Sequence, residues 1–195
     1  MSPTFKYNPF SGVLAEDLNE ILVPRFDRNV LMSKIKQTDK PIAIEFLGKK
    51  GRGKTTHLLH LNTEFIDSPI VFLNSNSSAS EVLNNDSNPL FIDSIHHLGL
   101  PDRLRLFKQN KTIIYTTHYT RKWECRLLKK EIYSLHFNGI DPETLQHILN
   151  KRLLLASDIE LKSTHLFSVT DSLELIKKFK DNYRAIINHL YVTYQ

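Results

Sequence analysis

The chain has 195 residues, and 26 Lys and Arg against 21 Asp and Glu give it a formal net charge of +5 at pH 7. Hydrophobic residues make up 41%, charged residues 24%, with only 6 Gly and 8 Pro; this excludes a disordered, collagen-like or coiled-coil chain and suits one α/β domain with or without a small appendage. The start, Met1-Ser-Pro-Thr-Phe-Lys, has no basic-then-apolar leader pattern, no apolar run nears the roughly 20 residues of a membrane span, and the lone Cys125 leaves no intrachain disulfide, so a cytoplasmic protein with no membrane partner is expected.

Residues 1–26 read as loop, punctuated by Pro3, Asn8-Pro9-Phe10, Gly12 and Pro24. Val30, Leu31 and Ile35 predict a short helix over 27–37, capped by Asp27. After Lys40-Pro41 breaks that pattern, Ile42–Leu47 predicts a strand, a glycine-rich turn follows, and Lys54–Leu61 predicts a helix. Pro69–Leu73 predicts a second strand, Ala79–Leu83 a brief helix, and Pro89–Asp93 a third strand. Asp102–Phe107 reads as helix, Thr112–Thr116 as a fourth strand and Glu131–Phe137 as a fifth. Strands alternating with helices predict an α/β fold with a five-stranded, mainly parallel sheet between helices.

After Asn138-Gly139 the texture changes. Asp141 is placed to cap a helix, Pro142 to occupy its first position, and Glu143 to face the positive end of its dipole. Leu145, Ile148, Leu149, Leu153 and Ala156 then share one helical face. Further helices are expected over Asp171–Lys180 and Asn182–Tyr191. The expected organisation is a phosphate-loop α/β domain over 1–139, followed by a small all-helical lid over 140–195.

Gly48-Lys49-Lys50-Gly51-Arg52-Gly53-Lys54-Thr55 fits G-x-x-x-x-G-K-[ST], with the strand before it and the helix after it that this pattern requires. Glycines let the backbone curl so that N–H groups point inward at a phosphate, and the helix start adds its positive dipole end. Gly48 to Thr56 are thus candidate nucleotide-binding residues. Lys54 is expected to reach the β- and γ-phosphates, and the Thr55 hydroxyl to bind Mg²⁺. Asp93, closing the apolar strand Leu90-Phe91-Ile92, is the second candidate Mg²⁺ ligand.

The residue after Asp93 is Ser94. Many ATPases with such a strand carry Glu there to polarise the attacking water, and a serine hydroxyl cannot act as a base unaided. Either hydrolysis is slow, or Glu45, His96 or His97 supplies the base. Thr117, at the end of the fourth strand, is the first candidate to touch the terminal phosphate or the water, with Thr116 and His118 behind it.

Together these stretches resemble the AAA+ ATPases, particularly the branch of origin-recognition and ExeA-like proteins. Asn8-Pro9-Phe10 followed by Arg25-Phe26-Asp27-Arg28 is similar to that branch's lead-in, and Phe91–Leu98 to its third strand except at Ser94. Leu145–Leu153 is similar to its first lid helix, and Asp181-Asn182-Tyr183-Arg184-Ala185-Ile186-Ile187 to a later lid motif. The resemblance implies that Arg184 is a lid arginine contacting the nucleotide and that Thr117 is a sensor of the terminal phosphate. It also implies an arginine finger, for which Arg126 is chosen over Arg121.

The expected function is an ATP-dependent switch using ATP and Mg²⁺, with weak ATPase activity and with a protein partner or a homo-oligomer. DNA is a further candidate partner, through the basic clusters Arg121/Lys122/Arg126/Lys129/Lys130 and Lys177/Lys178/Lys180. Two alternatives stay open: a small-molecule or nucleoside kinase, and a non-catalytic ATP-binding adaptor.

Overall fold

The apolar runs of the first two-thirds of the chain become strands, and the periodic stretches between them become helices. The computed structural model describes residues 5–12, 18–36, 40–158, 161, 163–180 and 182–195; Pro3, Gln37 and Asp181, each part of an expected segment, lie outside the described residues. In chain order the elements are α1 (Leu18–Ile21), α2 (Arg28–Lys36), β1 (Ala43–Leu47), α3 (Lys54–Asn62), β2 (Ile70–Phe72), α4 (Ser80–Leu83) and β3 (Leu90–Asp93). There follow α5 (Leu100–Lys108), β4 (Ile113–Thr117), α6 (Lys122–Leu127), β5 (Ile132–His136), α7 (Pro142–Ala156), α8 (Val169–Phe179) and α9 (Tyr183–Thr193). The short helices α1 and α6 were not expected. In α6 the exposed Trp123 and Leu127 sit among the buried Glu124 and Cys125, which hides the amphipathic period that reveals a helix.

The chain divides into two compact units, Met1–Val23 with Lys50–Gly53 and Asn138–Gln195, and Pro24–Lys49 with Lys54–Phe137. The second unit holds the sheet, in the order β2-β3-β4-β1-β5. All its pairings are parallel. Because side chains alternate across a strand, each face has its own core. Ile44, Phe46, Phe91 and Ile114 pack with Leu31 of α2 and Leu58 and Leu61 of α3. Ala43, Leu90, Ile92, Ile113 and Tyr115 pack with Val82, Leu106, Phe107 and Cys125 from α4, α5 and α6. This two-sided covering makes the strands read as continuous apolar runs rather than alternating ones.

The first unit is helical. Asp141 accepts from the Thr144 N–H at 2.7 Å and caps α7, with Pro142 in its first turn. Ser168 and Asp171 form a capping box on α8. Leu145, Leu149 and Leu153 of α7 bury against Ile186 and Leu190 of α9 and against Phe10. The Asn8-Pro9-Phe10 stretch is a docking element of this unit: Phe10 is 2% exposed, and the buried Arg152 donates to the carbonyls of Pro9 at 3.0 Å and Ser11 at 2.5 Å.

Candidate functional site

Strand parity assembles the polar groups at the carboxyl edge of the sheet. On β3, Asp93 shares a face with Phe91; on β4, Thr116 shares a face with Ile114; and Phe91 is in register with Ile114. Asp93 and Thr116 therefore emerge on the α3 side. Asp93 Oδ1 accepts from the Thr55 hydroxyl at 2.9 Å and from the Thr116 hydroxyl at 2.8 Å. Its Oδ2 accepts from the Ser94 hydroxyl at 3.2 Å, and the Ser94 N–H donates to Thr116 Oγ1 at 2.8 Å. Ser94 is left-handed, with φ 66° and ψ 47°, a conformation that costs a residue bearing a Cβ about 1 kcal/mol or more. These two hydrogen bonds hold it there.

The loop between β1 and α3 is closed by its own lysine. Lys54 is 7% exposed, and its Nζ donates to the carbonyls of Gly48 at 2.7 Å and Lys49 at 2.8 Å. Gly48 tolerates no side chain, because a Cβ would stand 2.4 Å from the Phe137 carbonyl oxygen. Gly51 and Gly53 have φ of 79° and 81°, which glycine adopts without strain. Lys49 and Lys50 are exposed, and Thr56 is half-buried in the first turn of α3.

Within the helical unit, which includes Lys50–Gly53, a Cβ on Gly51 would stand 2.1 Å from Asn182 Oδ1 and 3.5 Å from the Arg184 Cβ. Arg52 Nη2 donates to the Lys180 carbonyl at 3.4 Å. Asn182 caps α9 by accepting from the Ala185 N–H, and Arg184 is exposed in the first turn of that helix.

The other expected residues lie as follows. Thr117 is fully buried, and its hydroxyl donates to the Tyr119 carbonyl at 2.8 Å; of the two threonines, Thr116 is the one bonded to Asp93. Arg126 is exposed on α6. Arg121 is tied down, with Nη1 3.4 Å from Glu124. Glu45, considered as a base, lies on the opposite face of the sheet with Ala43 and Tyr115. It is fully buried and accepts from Thr120 at 2.6 Å, Ser134 at 2.7 Å, the Arg121 N–H at 2.9 Å and Tyr115 at 3.3 Å. It holds together β1, β4, β5 and the start of α6.

A histidine cluster completes the edge. The His96 ring lies 4.4 Å from His97 and 4.6 Å from His118. His118 Nδ1 is 3.0 Å from the Gly48 carbonyl oxygen. His96 Nδ1 is buried without a partner. Burial, with His118, His97, Arg121 and Lys54 nearby, pushes the His96 imidazole down to about 4. No cluster of His, Cys, Asp and Glu suited to a metal ion occurs among the described residues. A cavity in the helical unit, lined by His165, Phe167, Leu175 and Tyr194, includes Lys178 of the second basic cluster but none of the expected nucleotide-site residues.

The architecture can be compared with known proteins. It is similar to the structure of AMPPCP-bound DnaA from Aquifex aeolicus, with a TM-score of 0.50 and 16% identity, over 84% of this chain and 64% of that one. The fold is that of a P-loop NTPase. It has a parallel five-stranded sheet flanked by helices and a helical C-terminal part. The chain thus spans less than two-thirds of the DnaA chain it matches. No family model matches the sequence, and no curated protein matches it. In the P-loop fold the carboxyl edge of the sheet beside this loop is where ligands bind, and there Lys54, Thr55, Asp93 and Thr116 converge.

Proposed function

We propose that the chain binds ATP with Mg²⁺ at Gly48–Thr56 and works as a nucleotide-dependent switch with slow hydrolysis. The observation that carries this reading is the pair of hydroxyls, Thr55 and Thr116, on one oxygen of Asp93. Two neighbouring ligands of an octahedral Mg²⁺ at about 2.0–2.1 Å stand about 2.9 Å apart. Thr55 Oγ1 and Asp93 Oδ1 are separated by 2.9 Å, so their spacing suits the ion once the Thr55 hydroxyl turns its proton away from Asp93. When bound, Mg²⁺ would offset the charge of the phosphates.

The chain's own groups do the rest. The backbone N–H groups of the loop cradle the phosphates, and Lys54 Nζ exchanges the Gly48 and Lys49 carbonyls for phosphate oxygens. The bond to Thr116 orients the Asp93 carboxylate. Arg184, in the same unit as Lys50–Gly53, supplies a lid cation for the phosphates, and Arg126, exposed on α6, is available to a neighbouring subunit. Slow turnover follows from Ser94, whose hydroxyl is spent on Asp93 and offers no base. The AMPPCP named in the DnaA structure is an ATP analogue, which supports a nucleotide as the ligand here.

The test is thermal unfolding with and without ATP, ADP and Mg²⁺, followed by steady-state phosphate release. ATP–Mg²⁺ at a hundredfold over Kd is expected to stabilise by about 2.7 kcal/mol, with phosphate release far slower than the roughly 1–10³ per second usual for enzymes, at roughly 0.01 per second or less. No shift with either nucleotide overturns the reading.

A further inference from the structure

The proposed switch has Ser94 where a water-polarising carboxylate would stand. We propose that His118 is the base for the turnover that does occur, taking the proton of the attacking water at Nε2 while Nδ1 is held by the phosphate loop. This inference rests on the ATP-binding reading and deepens it.

The tautomer follows from the partner. A backbone carbonyl only accepts, so the 3.0 Å contact between His118 Nδ1 and the Gly48 oxygen places a proton on Nδ1. In the neutral ring the lone pair then lies on Nε2, to which no hydrogen bond is made among the described residues. An imidazole oriented through one nitrogen so that the other is free is the arrangement a general base requires.

The position follows from the same oxygen. Gly48 O also accepts from Lys54 Nζ at 2.7 Å, so two donors converge on one atom and lie within about 6 Å of each other. The imidazole therefore stands beside the ammonium assigned to the terminal phosphates. His118 directly follows Thr117, the last residue of β4, at the ligand-binding edge of the sheet, and it is half-buried, so water reaches it.

The competing groups are each disabled. Glu45 has its oxygens taken by Tyr115, Thr120, Arg121 and Ser134 on the other face. His96 has its Nδ1 sealed from water, and burial, before the neighbouring charges, leaves it a weak base. His97 is exposed and tilts against His96, and among the described residues it makes no hydrogen bond to the loop.

The step balances with water and ATP alone. One O–H bond of the water breaks and its proton passes to Nε2. The water oxygen bonds to the terminal phosphorus, and the bond from that phosphorus to the bridging oxygen breaks with its electron pair staying on ADP. The products are ADP and inorganic phosphate, and Nε2 returns its proton to solvent.

His118→Asn and His118→Ala separate this role from a structural one. Asn retains an N–H near the Nδ1 position for the Gly48 carbonyl but has no basic nitrogen; Ala has neither. Thermal shift with ATP–Mg²⁺ reads binding, phosphate release reads turnover, and imidazole-nitrogen NMR of the nucleotide-free full chain reads the tautomer. The expected result is an Nδ1–H tautomer, ATP binding by the Asn variant within about threefold of the parent, and turnover lowered about 10²- to 10⁴-fold in both variants, with added imidazole partly restoring the Ala variant. The inference is overturned if the Asn variant binds and turns over like the parent, if the parent binds ATP without any turnover, or if Nε2 carries the proton. Failure of the parent to bind ATP at all is a different result, which removes the nucleotide reading itself.

Discussion

Two carboxylates on one sheet have opposite fates. Glu45 on β1 and Asp93 on β3 both flank β4, but strand parity sends Glu45 to the face of α5 and α6 and Asp93 to the face of α3. Glu45 is sealed and held by three hydroxyls and a backbone N–H from four places in the chain. Asp93 is partly open, and among the described residues its carboxylate is held by hydroxyls alone, those of Thr55, Thr116 and Ser94. A sealed carboxylate with a fixed set of donors is a structural tie. An open one whose hydroxyl partners can rotate away is free to take a ligand. Residue type does not distinguish the two; the set of partners does.

Removing Glu45 would break that comparison most severely. Glu45→Ala leaves the Tyr115, Thr120 and Ser134 hydroxyls and the Arg121 N–H without their acceptor, each exacting about 1–3 kcal/mol if left unpaired. Allowing for water and relaxation, the expected loss is about 3–5 kcal/mol in urea unfolding, with ATP affinity of the remaining folded fraction little changed. A stable variant with weakened ATP binding would mean that the two carboxylates do not differ as described.

Lys54→Ala should do the reverse. The loop carbonyls of Gly48 and Lys49 are left to water and to His118, so unfolding of the nucleotide-free chain should move by less than about 1 kcal/mol. The stabilisation of about 2.7 kcal/mol expected from ATP–Mg²⁺ at a hundredfold over the parent's Kd should vanish. Titrating both proteins with ATP–Mg²⁺ in a thermal-unfolding assay decides it, and a full shift in the variant would remove Lys54 from the site.

Thr116 and Thr117 sharpen the contrast at smaller scale. Thr116→Val removes the hydroxyl between Asp93 and the Ser94 N–H, whereas Thr117→Val removes only the turn contacts to Tyr119. Each should cost about 1 kcal/mol of stability. Only Thr116→Val is expected to slow phosphate release more than it weakens binding. If Thr117→Val carries that kinetic signature instead, the residue after the one bonded to Asp93 is the one that meets the terminal phosphate.

Much of this was legible in the chain, for reasons that differ by residue. The five strands were visible because a sheet covered on both faces produces short, mostly apolar runs such as Leu90–Ile92 and Ile113–Tyr115. The loop was visible because a backbone that turns left-handed at Gly51 and Gly53 and abuts a carbonyl at Gly48 requires glycine at each point. The choice between Thr116 and Thr117 was not legible, because it depends on the register of β4 against β3, a relation between segments that no local pattern encodes. The sealing of Glu45 was hidden for the same reason: its donors lie 70 to 89 residues away in sequence. The burial of Phe10 among the helices of the C-terminal part was likewise invisible, since a single aromatic in a loop-like stretch carries no period. Strand parity could have narrowed the threonines, since both Asp93 and Thr116 follow by two residues an apolar residue destined for the same core.

The smallest expected effect concerns acid. Burial first, and then the neighbouring His118, His97, Arg121 and Lys54, hold the His96 imidazole at about 4 against an ordinary 6.5, with its ring against those of His97 and His118. The unfolded chain therefore binds a proton as pH falls through 6.5 that the native ring refuses until about 4, so stability contributed above pH 6.5 is lost progressively between those values. His60, lowered chiefly by burial and then by Arg28, acts in the same direction. Urea unfolding at pH 7 and pH 5 should accordingly show a less stable protein at pH 5, and His96→Gln should reduce that difference without abolishing it, because His60 remains. If the pH dependence is unchanged in His96→Gln, the ring is not held neutral by its neighbours. The cluster beside Gly48 would then carry a charge at pH 5 that the native packing tolerates.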